Sequence, residues 1–302
     1  MSFYLTGGTA DTPTELTPPA AHLPSSRRPR YPSDMTDAEW HVIAPLVPAG
    51  RPGRRGGRPP EHSRRDIIDA IRYMAHNGGV WRALPADFPP WKTIHHYHTL
   101  WTKDGTLNRL HNTLRAQVRR AEDRQPQPSA AIIDSQSVRA GETVAKASRG
   151  YDAGKKVNGR KRHIVVDTIG LLLIVLVTGA EVQDRNGARL ALWALPACFA
   201  SISLIWADAG YAGKLVTWAQ QTLGLTVQIV RKLAGQVGFQ VLHRRWVVER
   251  TLAWITRCRR PAGRTCRHPA GSARTGETGL AGCAGSACTK LRLRHATTAT
   301  VA

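Results

Sequence analysis

Three acidic residues stand where a sheet or a helix could present them to a phosphodiester. Asp134 follows the apolar residues 130–133, Asp208 follows residues 204–207, and Glu249 lies in an arginine-rich helical pattern. Mg²⁺ prefers carboxylate oxygens. Two such ions about 3.5–4 Å apart can activate the nucleophile, polarise the phosphate and stabilise the leaving oxygen. We therefore expect the three carboxylates to hold two Mg²⁺ ions, with Mn²⁺ able to substitute, for cutting nucleic acid.

Each of these acids also has a simpler interpretation. An Asp at the end of a strand is commonly a turn residue or a helix cap. A Glu among arginines on a helix is usually part of a surface ion pair. The spacing of the residues alone leaves both interpretations open.

The net charge indicates the class of partner. Lys and Arg number 43 against 21 Asp and Glu, which gives a formal charge of +22. A basic excess of this size favours nucleic acid over an acidic membrane surface as the partner. The apolar run at 171–177 is too short to span a membrane, and the N-terminus lacks a signal-peptide pattern. We expect a cytoplasmic, nucleoid-associated protein.

A basic cluster follows the first acid along the chain and leads into a predicted hairpin of residues 162–167 and 171–178. Such a cluster could hold a DNA phosphate, although an ordinary solvated face is the alternative. Asp184, after the hairpin, is predicted to be a helix N-cap rather than a fourth metal ligand. The candidate phosphate-binding residues of the cluster are Lys155, Lys156, Arg160, Lys161 and Arg162.

Residues 129–260 alternate between strand and helix patterns. The predicted strands are 130–134, the two hairpin strands, 203–207 and 226–230; the predicted helices are 184–194, 214–222 and 243–256. This order predicts an α/β domain with a mixed sheet and helices on its faces.

Residues 34–120 predict a small all-helical module. Thr36 and Glu39 form a capping-box pattern at the start of its first helix. A second helix should end at residues 77–79, and residues 91–114 should form further helix with a break at 104–105. We expect a DNA-binding module of helix-turn-helix type, the alternative being a helical cap without a DNA role.

The two ends of the chain differ from the rest in composition. Residues 1–33 predict a disordered leader. Residues 261–302 form a low-complexity basic tail without aromatic residues, and its abrupt start suggests a frameshift in the gene. The alternative is an ordinary disordered tail.

The ordered set of motifs resembles bacterial insertion-sequence transposases of the DDE class, and most closely the family numbered five. The resemblance runs from about residue 33 to residue 260. It rests on residues 35–40, 78–85, 133–137, 154–163, 177–185, 207–211 and 244–251.

The resemblance implies a ribonuclease H-like fold with Asp134, Asp208 and Glu249 as the metal-binding triad. Arg245 matches the Arg of the Tyr-x2-Arg-x3-Glu-x6-Lys signature of related transposases, and it would contact substrate phosphate. Leu242 and Thr256 stand at the Tyr and Lys positions, so the signature is only partly present.

The implied function is binding of the element's terminal inverted repeats, followed by metal-dependent strand cleavage and transfer to target DNA. Joining two ends in one complex implies a homo-oligomer, and we expect a dimer bound to double-stranded DNA. Two alternatives stay open. One is a metal-dependent nuclease without strand transfer; the other is a non-catalytic DNA-binding remnant, which the break after Arg260 favours.

Overall fold

A computed structural model describes residues 22–49, 60–141, 146–230 and 245–258. The helices are α1 Asp37–Ile43, α2 Arg64–Asn77, α3 Trp91–Lys103, α4 Thr106–Ala121, α5 Asp184–Cys198, α6 Lys214–Leu223 and α7 Trp246–Arg257. The strands are β1 Ala130–Arg139, β2 Gly150–Asp152, β3 Val157–Asp167, β4 Leu172–Gly179, β5 Leu204–Ala207 and β6 Thr226–Ile229.

Local signals define the ends of the N-terminal helices. The Thr36 hydroxyl accepts from the Glu39 N–H and the Glu39 carboxylate accepts from the Thr36 N–H, which confirms the predicted capping box. Gly78 ends α2 at φ 74°, and Gly105 separates α3 from α4 at φ 75°. Glycine adopts these positive φ angles without the penalty that a side chain would bring.

The N-terminal helices share one apolar core, but this helical module starts earlier than predicted. Tyr31 stacks on Phe88, and the Arg27 guanidinium lies 4.2 Å from the Phe88 ring centroid while pairing with Asp34. The prediction of a disordered leader is therefore wrong for residues 22–33, which cover the helical core. Residues 1–21 lie outside the described residues. The core comprises Met35, Ile43, Val47, Ile67, Ile68, Ala70, Ile71, Phe88, Ile94, Trp101, Leu110 and Leu114.

The remaining elements build one mixed six-stranded sheet. Its order is β2-β3-β1-β5-β6, with β4 also paired to β3. Strands β1, β3 and β4 are antiparallel neighbours, whereas β1, β5 and β6 are parallel. This α/β arrangement with flanking helices is that of the ribonuclease H-like fold predicted from the sequence.

Helices cover both faces of the sheet. One face packs against α5 and α6 through a core that includes Ile133, Val165, Leu192, Ile205 and Leu215. The other face packs against α7 through a second core of Ile132, Ile164, Val166, Leu172, Val247, Val248 and Leu252. The sheet is buried on both sides, so its central strands are continuous apolar runs rather than alternating patterns.

Most predicted elements are confirmed, but β1 is longer than expected. The strand does not end at Asp134; it continues to Arg139, because β3 begins at Val157 and offers it a long antiparallel partner. At the far end of this pair Gly159 lies against the backbone of Val138 and Ala140, so closely that any Cβ would collide with the Val138 carbonyl oxygen. Residues 243–244 of the predicted last helix and the whole tail 261–302 lie outside the described residues.

Helix α4 joins the helical module to the sheet through two buried arginines. The Arg115 guanidinium lies 4.4 Å from the Phe199 ring centroid. One turn later, Arg119 Nη1 lies 2.7 Å from Asp167 Oδ2, and both side chains are at most 5% exposed. The end of β3 is therefore tied to the helical module by a buried ion pair.

Candidate active site

The pairing register brings Asp134 and Asp208 to the same level of the sheet. Strand β1 pairs with β5 through Ile132 and Trp206, and each Asp lies two residues further along its chain. Strands β1 and β5 are parallel, and parallel neighbours in a sheet are about 4.8 Å apart. Two carboxylates therefore converge where the parallel pairing ends, as the sequence predicts for two strand-end acids.

Asp134 is the more buried of these two acids. Burial raises the pKa of Asp134 to about 6, and the Asp208 carboxylate acts in the same direction. The Ser135 N–H, which donates to Asp134 Oδ1 at 2.7 Å, and the charges of Arg245 and Lys155 oppose this rise. A group that is costly to ionise in isolation is stabilised as a carboxylate by a bound cation.

Arg245 lies between Asp208 and Glu249. Its Nη2 is 3.7 Å from Asp208 Oδ2 and 3.5 Å from Glu249 Oε1. The four-residue spacing of Arg245 and Glu249 places them on one side of α7, as the sequence predicts. The structure thus brings Asp134, Asp208, Arg245 and Glu249 into one cluster.

The chemistry of Asp134 and Asp208 fits a divalent cation. Asp134 and Asp208 supply hard oxygen ligands, and Mg²⁺ usually uses one or two carboxylates and keeps several waters. The Arg245 guanidinium lies beside both Asp208 and Glu249. Among the described residues no group of three or more His, Cys, Asp and Glu side chains is close enough to hold a metal ion.

Two of the predicted phosphate-binding residues are not available to DNA. Lys161 is buried, and its Nζ lies 3.1 Å from Asp152 Oδ2, 3.0 Å from Asp184 Oδ1 and 2.9 Å from the Val182 carbonyl oxygen. Arg162 is also buried. The expectation that Lys161 and Arg162 bind phosphate is corrected, because both side chains are buried. The three N–H donors of the Lys161 ammonium face acceptors inside the protein.

The other basic candidates remain at the surface. Lys155 and Lys156 are exposed, and Lys155 Nζ lies 3.3 Å from the Ser135 carbonyl oxygen, beside Asp134. Arg160 is half-buried and donates to the Ser148 carbonyl and hydroxyl oxygens at 3.0 and 2.8 Å. Of the five predicted phosphate-binding residues of this cluster, Lys155 and Lys156 are therefore the two that are exposed.

Asp184 is not the helix N-cap that the sequence predicts. Gln183 holds that position and Asp184 is the first residue of α5. Although burial opposes it, the hydrogen bonds from Lys161 and Ser135 hold the pKa of Asp184 below its usual value. Asp184 is an internal partner of Lys161.

Two residues near the site were missed. Asp152 is buried under Lys161, and despite its burial the hydrogen bonds from Ser137, Lys155 and Lys161 hold its pKa well below the usual range. Tyr211 is 1% exposed, and burial together with the charge of Asp134 raises the pKa of its phenol. The position of Tyr211 directly after Gly210, three residues past Asp208, was the available signal. Nothing in the local sequence pattern indicated Asp152.

The N-terminal and central parts of the chain match two family models. The family described as "Putative transposase of IS4/5 family" matches residues 35–111, and the "Transposase DDE domain" matches residues 125–270. The second match ends within the segment for which we predict a frameshift. DDE transposase domains generally use divalent metal ions.

Two curated proteins are similar to parts of the chain. The "Uncharacterized protein y4sN" of Sinorhizobium fredii is 30% identical over 115 residues, 38% of this chain and 83% of that protein. The "Putative transposase for insertion sequence element IS402" of Burkholderia cepacia is 31% identical over 109 residues, 34% of this chain and 51% of that protein. The chain therefore spans about half the length of the second relative. No solved structure matches the chain. With both family models matched in order and the acidic cluster on the expected fold, the chain belongs to the DDE transposases of insertion sequences.

Proposed function

We propose that this chain binds the terminal inverted repeats of its own insertion sequence, cleaves DNA at the element's ends and joins the freed ends to target DNA. The observation that carries the proposal is the register that aligns Asp134 with Asp208, with Arg245 joining Asp208 to Glu249. The working form is a homo-oligomer, with a dimer sufficient to hold two ends, acting on nucleoid DNA in the cytoplasm.

Asp134 and Asp208 would hold two Mg²⁺ ions, or Mn²⁺ in their place, together with Glu249. The bound ions would lower the cost of charge on the attacking and leaving oxygens of an in-line displacement. Asp134 would orient this site from β1, and Asp208 from the position directly after β5. Exposed Lys155 and Lys156 would attract the DNA backbone, and Arg245 would exchange its contact with Glu249 for a substrate phosphate.

The helical module would supply recognition of the ends. Helix α2 is largely buried, whereas α3 exposes Lys92, His95, His96 and Lys103 on one surface. A buried helix that supports an exposed basic one is the arrangement of helix-turn-helix DNA-binding modules. No helix in the described ranges is long and apolar enough to cross a bilayer.

The test is divalent-metal-dependent cleavage and joining of a duplex carrying the repeats that flank the gene. Asp208→Asn should abolish both reactions and leave repeat binding intact, because it removes one negative charge without changing size. Asp123→Asn is the matched control, since Asp123 is exposed and Asn tolerates its positive φ of 51°. Cleavage that survives Asp208→Asn would overturn the site assignment.

Two other outcomes would support the alternatives. Cut ends without joined products would indicate a nuclease. If the chain binds the repeats without cleaving them, and cleavage returns when the reading frame after Arg260 is corrected, this copy is a decayed transposase.

A further inference from the structure

The helix that carries Glu249 depends on tertiary contacts for its position. Residues 231–244 connect α7 to β6 and lie outside the described residues. The contacts that can be described for α7 are those that its own side chains make. Its inner face packs on the sheet through Val247, Val248 and Leu252. Apolar packing of this kind is non-directional and does not by itself set the height of a helix along a sheet.

Directional contacts to the turn between β3 and β4 supply that missing constraint. Thr251 Oγ1 lies 2.8 Å from the Gly170 carbonyl oxygen and 3.1 Å from the Val247 carbonyl oxygen within its own helix. Arg250 Nη2 donates to the Ile169 carbonyl oxygen at 3.0 Å. Gly170 has φ +85°, and a Cβ there would lie 2.9 Å from Thr251 Oγ1, so the turn and the helix touch at a position that suits only glycine.

Asp167 gives this turn its shape. Its Oδ1 accepts from the N–H groups of Ile169 and Leu171 at 3.1 and 2.6 Å. Its other oxygen, Oδ2, accepts from Arg119 of the helical module at 2.7 Å. Arg119 is itself fixed by a 2.6 Å hydrogen bond from Nε to the Gln125 carbonyl oxygen.

These contacts form one continuous connection from the helical module to the Glu249 helix. We propose that residues 167–171 act as a latch that sets the position of α7, and hence of Glu249, and that Arg119 holds this latch in place from the helical module. Thr251, Asp167 and Arg119 are positioning residues in this arrangement. The role assigned to Glu249 rests on the proposed function, whereas the latch contacts do not.

Substitution of Thr251 tests the latch with little change in volume. Thr251→Val removes the hydroxyl that meets Gly170 and keeps the branched shape. Thr256→Val is the matched control: Thr256 lies five residues later on the same helix and is exposed, and its hydroxyl donates to the Ala253 carbonyl oxygen of that helix.

Hydrogen exchange reports on the latch without requiring any activity. In Thr251→Val the amides of α7 should exchange about fivefold faster than in Thr256→Val, because one net hydrogen bond that holds the helix is lost. The exchange rates of β1 and β5 should stay unchanged. Asp167→Asn should speed exchange in α7 although the hydrogen bonds of the Asp167 carboxylate go to Arg119, Ile169 and Leu171 rather than to that helix. Equal α7 exchange in Thr251→Val and Thr256→Val, or an unchanged α7 in Asp167→Asn, would overturn the latch.

Activity then tests whether the latch serves Glu249. Single-turnover cleavage should fall about tenfold or more in Thr251→Val, because small misplacements of a catalytic group are costly, while affinity for the inverted repeats stays the same. Faster exchange with unchanged cleavage would refute the link to Glu249 alone. If the unaltered chain does not cleave, the proposed function fails while the exchange result still decides the latch.

Discussion

Replacing Arg119 by Met should destabilise the protein through the carboxylate that it leaves behind. Arg119 and Asp167 are 5% and 0% exposed, and Met keeps most of the apolar stem while removing the charge. Breaking a buried ion pair typically costs about 3–5 kcal/mol, because one charge stays buried without its partner. Asp167 would keep its hydrogen bonds from the Ile169 and Leu171 N–H groups. We therefore expect a loss near the lower limit, about 3 kcal/mol in the free energy of unfolding.

Thermal and urea unfolding of three variants would measure this loss. A domain of this size loses about 2–4 °C in Tm for each kcal/mol, so Arg119→Met should melt about 6–12 °C lower. Arg120→Met is the control, because Arg120 is exposed on the same helix and its replacement should change stability by about 0.5 kcal/mol or less. The double variant Arg119→Met/Asp167→Asn should be more stable than Arg119→Met alone, since no charge remains buried. Equal melting of Arg119→Met and Arg120→Met, or a double variant whose loss equals or exceeds that of Arg119→Met, would refute the reasoning.

Two further expectations concern buried groups on β3. Lys161→Met should cost about 3 kcal/mol or more, because Asp152 and Asp184 lose their shared cation, whereas exposed Lys156→Met should be close to neutral in urea unfolding. A stable Lys161→Met with weakened DNA binding would instead favour the phosphate-binding role predicted from the sequence. Burial lowers the pKa of His163 from 6.5 to about 4, so its neutral ring contributes stability that is fully present above pH 6.5 and is lost as the pH falls towards 4. Between pH 7 and pH 5 this loss in the free energy of unfolding amounts to about 2 kcal/mol, at 1.36 kcal/mol per pH unit. His163→Gln should lack this part of the pH dependence. Identical profiles of stability against pH for the variant and the unaltered protein would contradict this expectation.

Much of the fold follows from short-range patterns in the sequence. The Thr36–Glu39 capping box, the glycines that end α2 and separate α3 from α4, and the turn at residues 168–170 all act within a few residues. The apolar runs before Asp134 and Asp208 predict a strand before each Asp for the same reason. The spacing of Arg245 and Glu249 predicts their contact, because residues four apart lie on one side of any helix.

Which basic side chains are exposed depends on ion-pair partners that lie far away in the sequence. Lys155, Lys156, Lys161 and Arg162 look alike as a basic cluster, yet the first two are exposed and the last two are buried. Lys161 is buried because Asp152 and Asp184 meet it from different elements, and a buried ammonium is tolerated only when such partners are present. Local patterns cannot show this pairing.

The same reason explains the other differences. Strand β1 extends past Asp134 because β3, a later strand, continues to pair with it. Residues 22–33 are ordered because the Arg27 guanidinium packs on the Phe88 ring and pairs with Asp34. The Arg119–Asp167 pair links residues 48 positions apart. Residue type and spacing are enough to identify the candidate carboxylates and the elements that carry them. Which charges face DNA, and what fixes the helix of Glu249, depends on long-range contacts, because the cost of burying a charge is set by whatever the folded chain brings next to it.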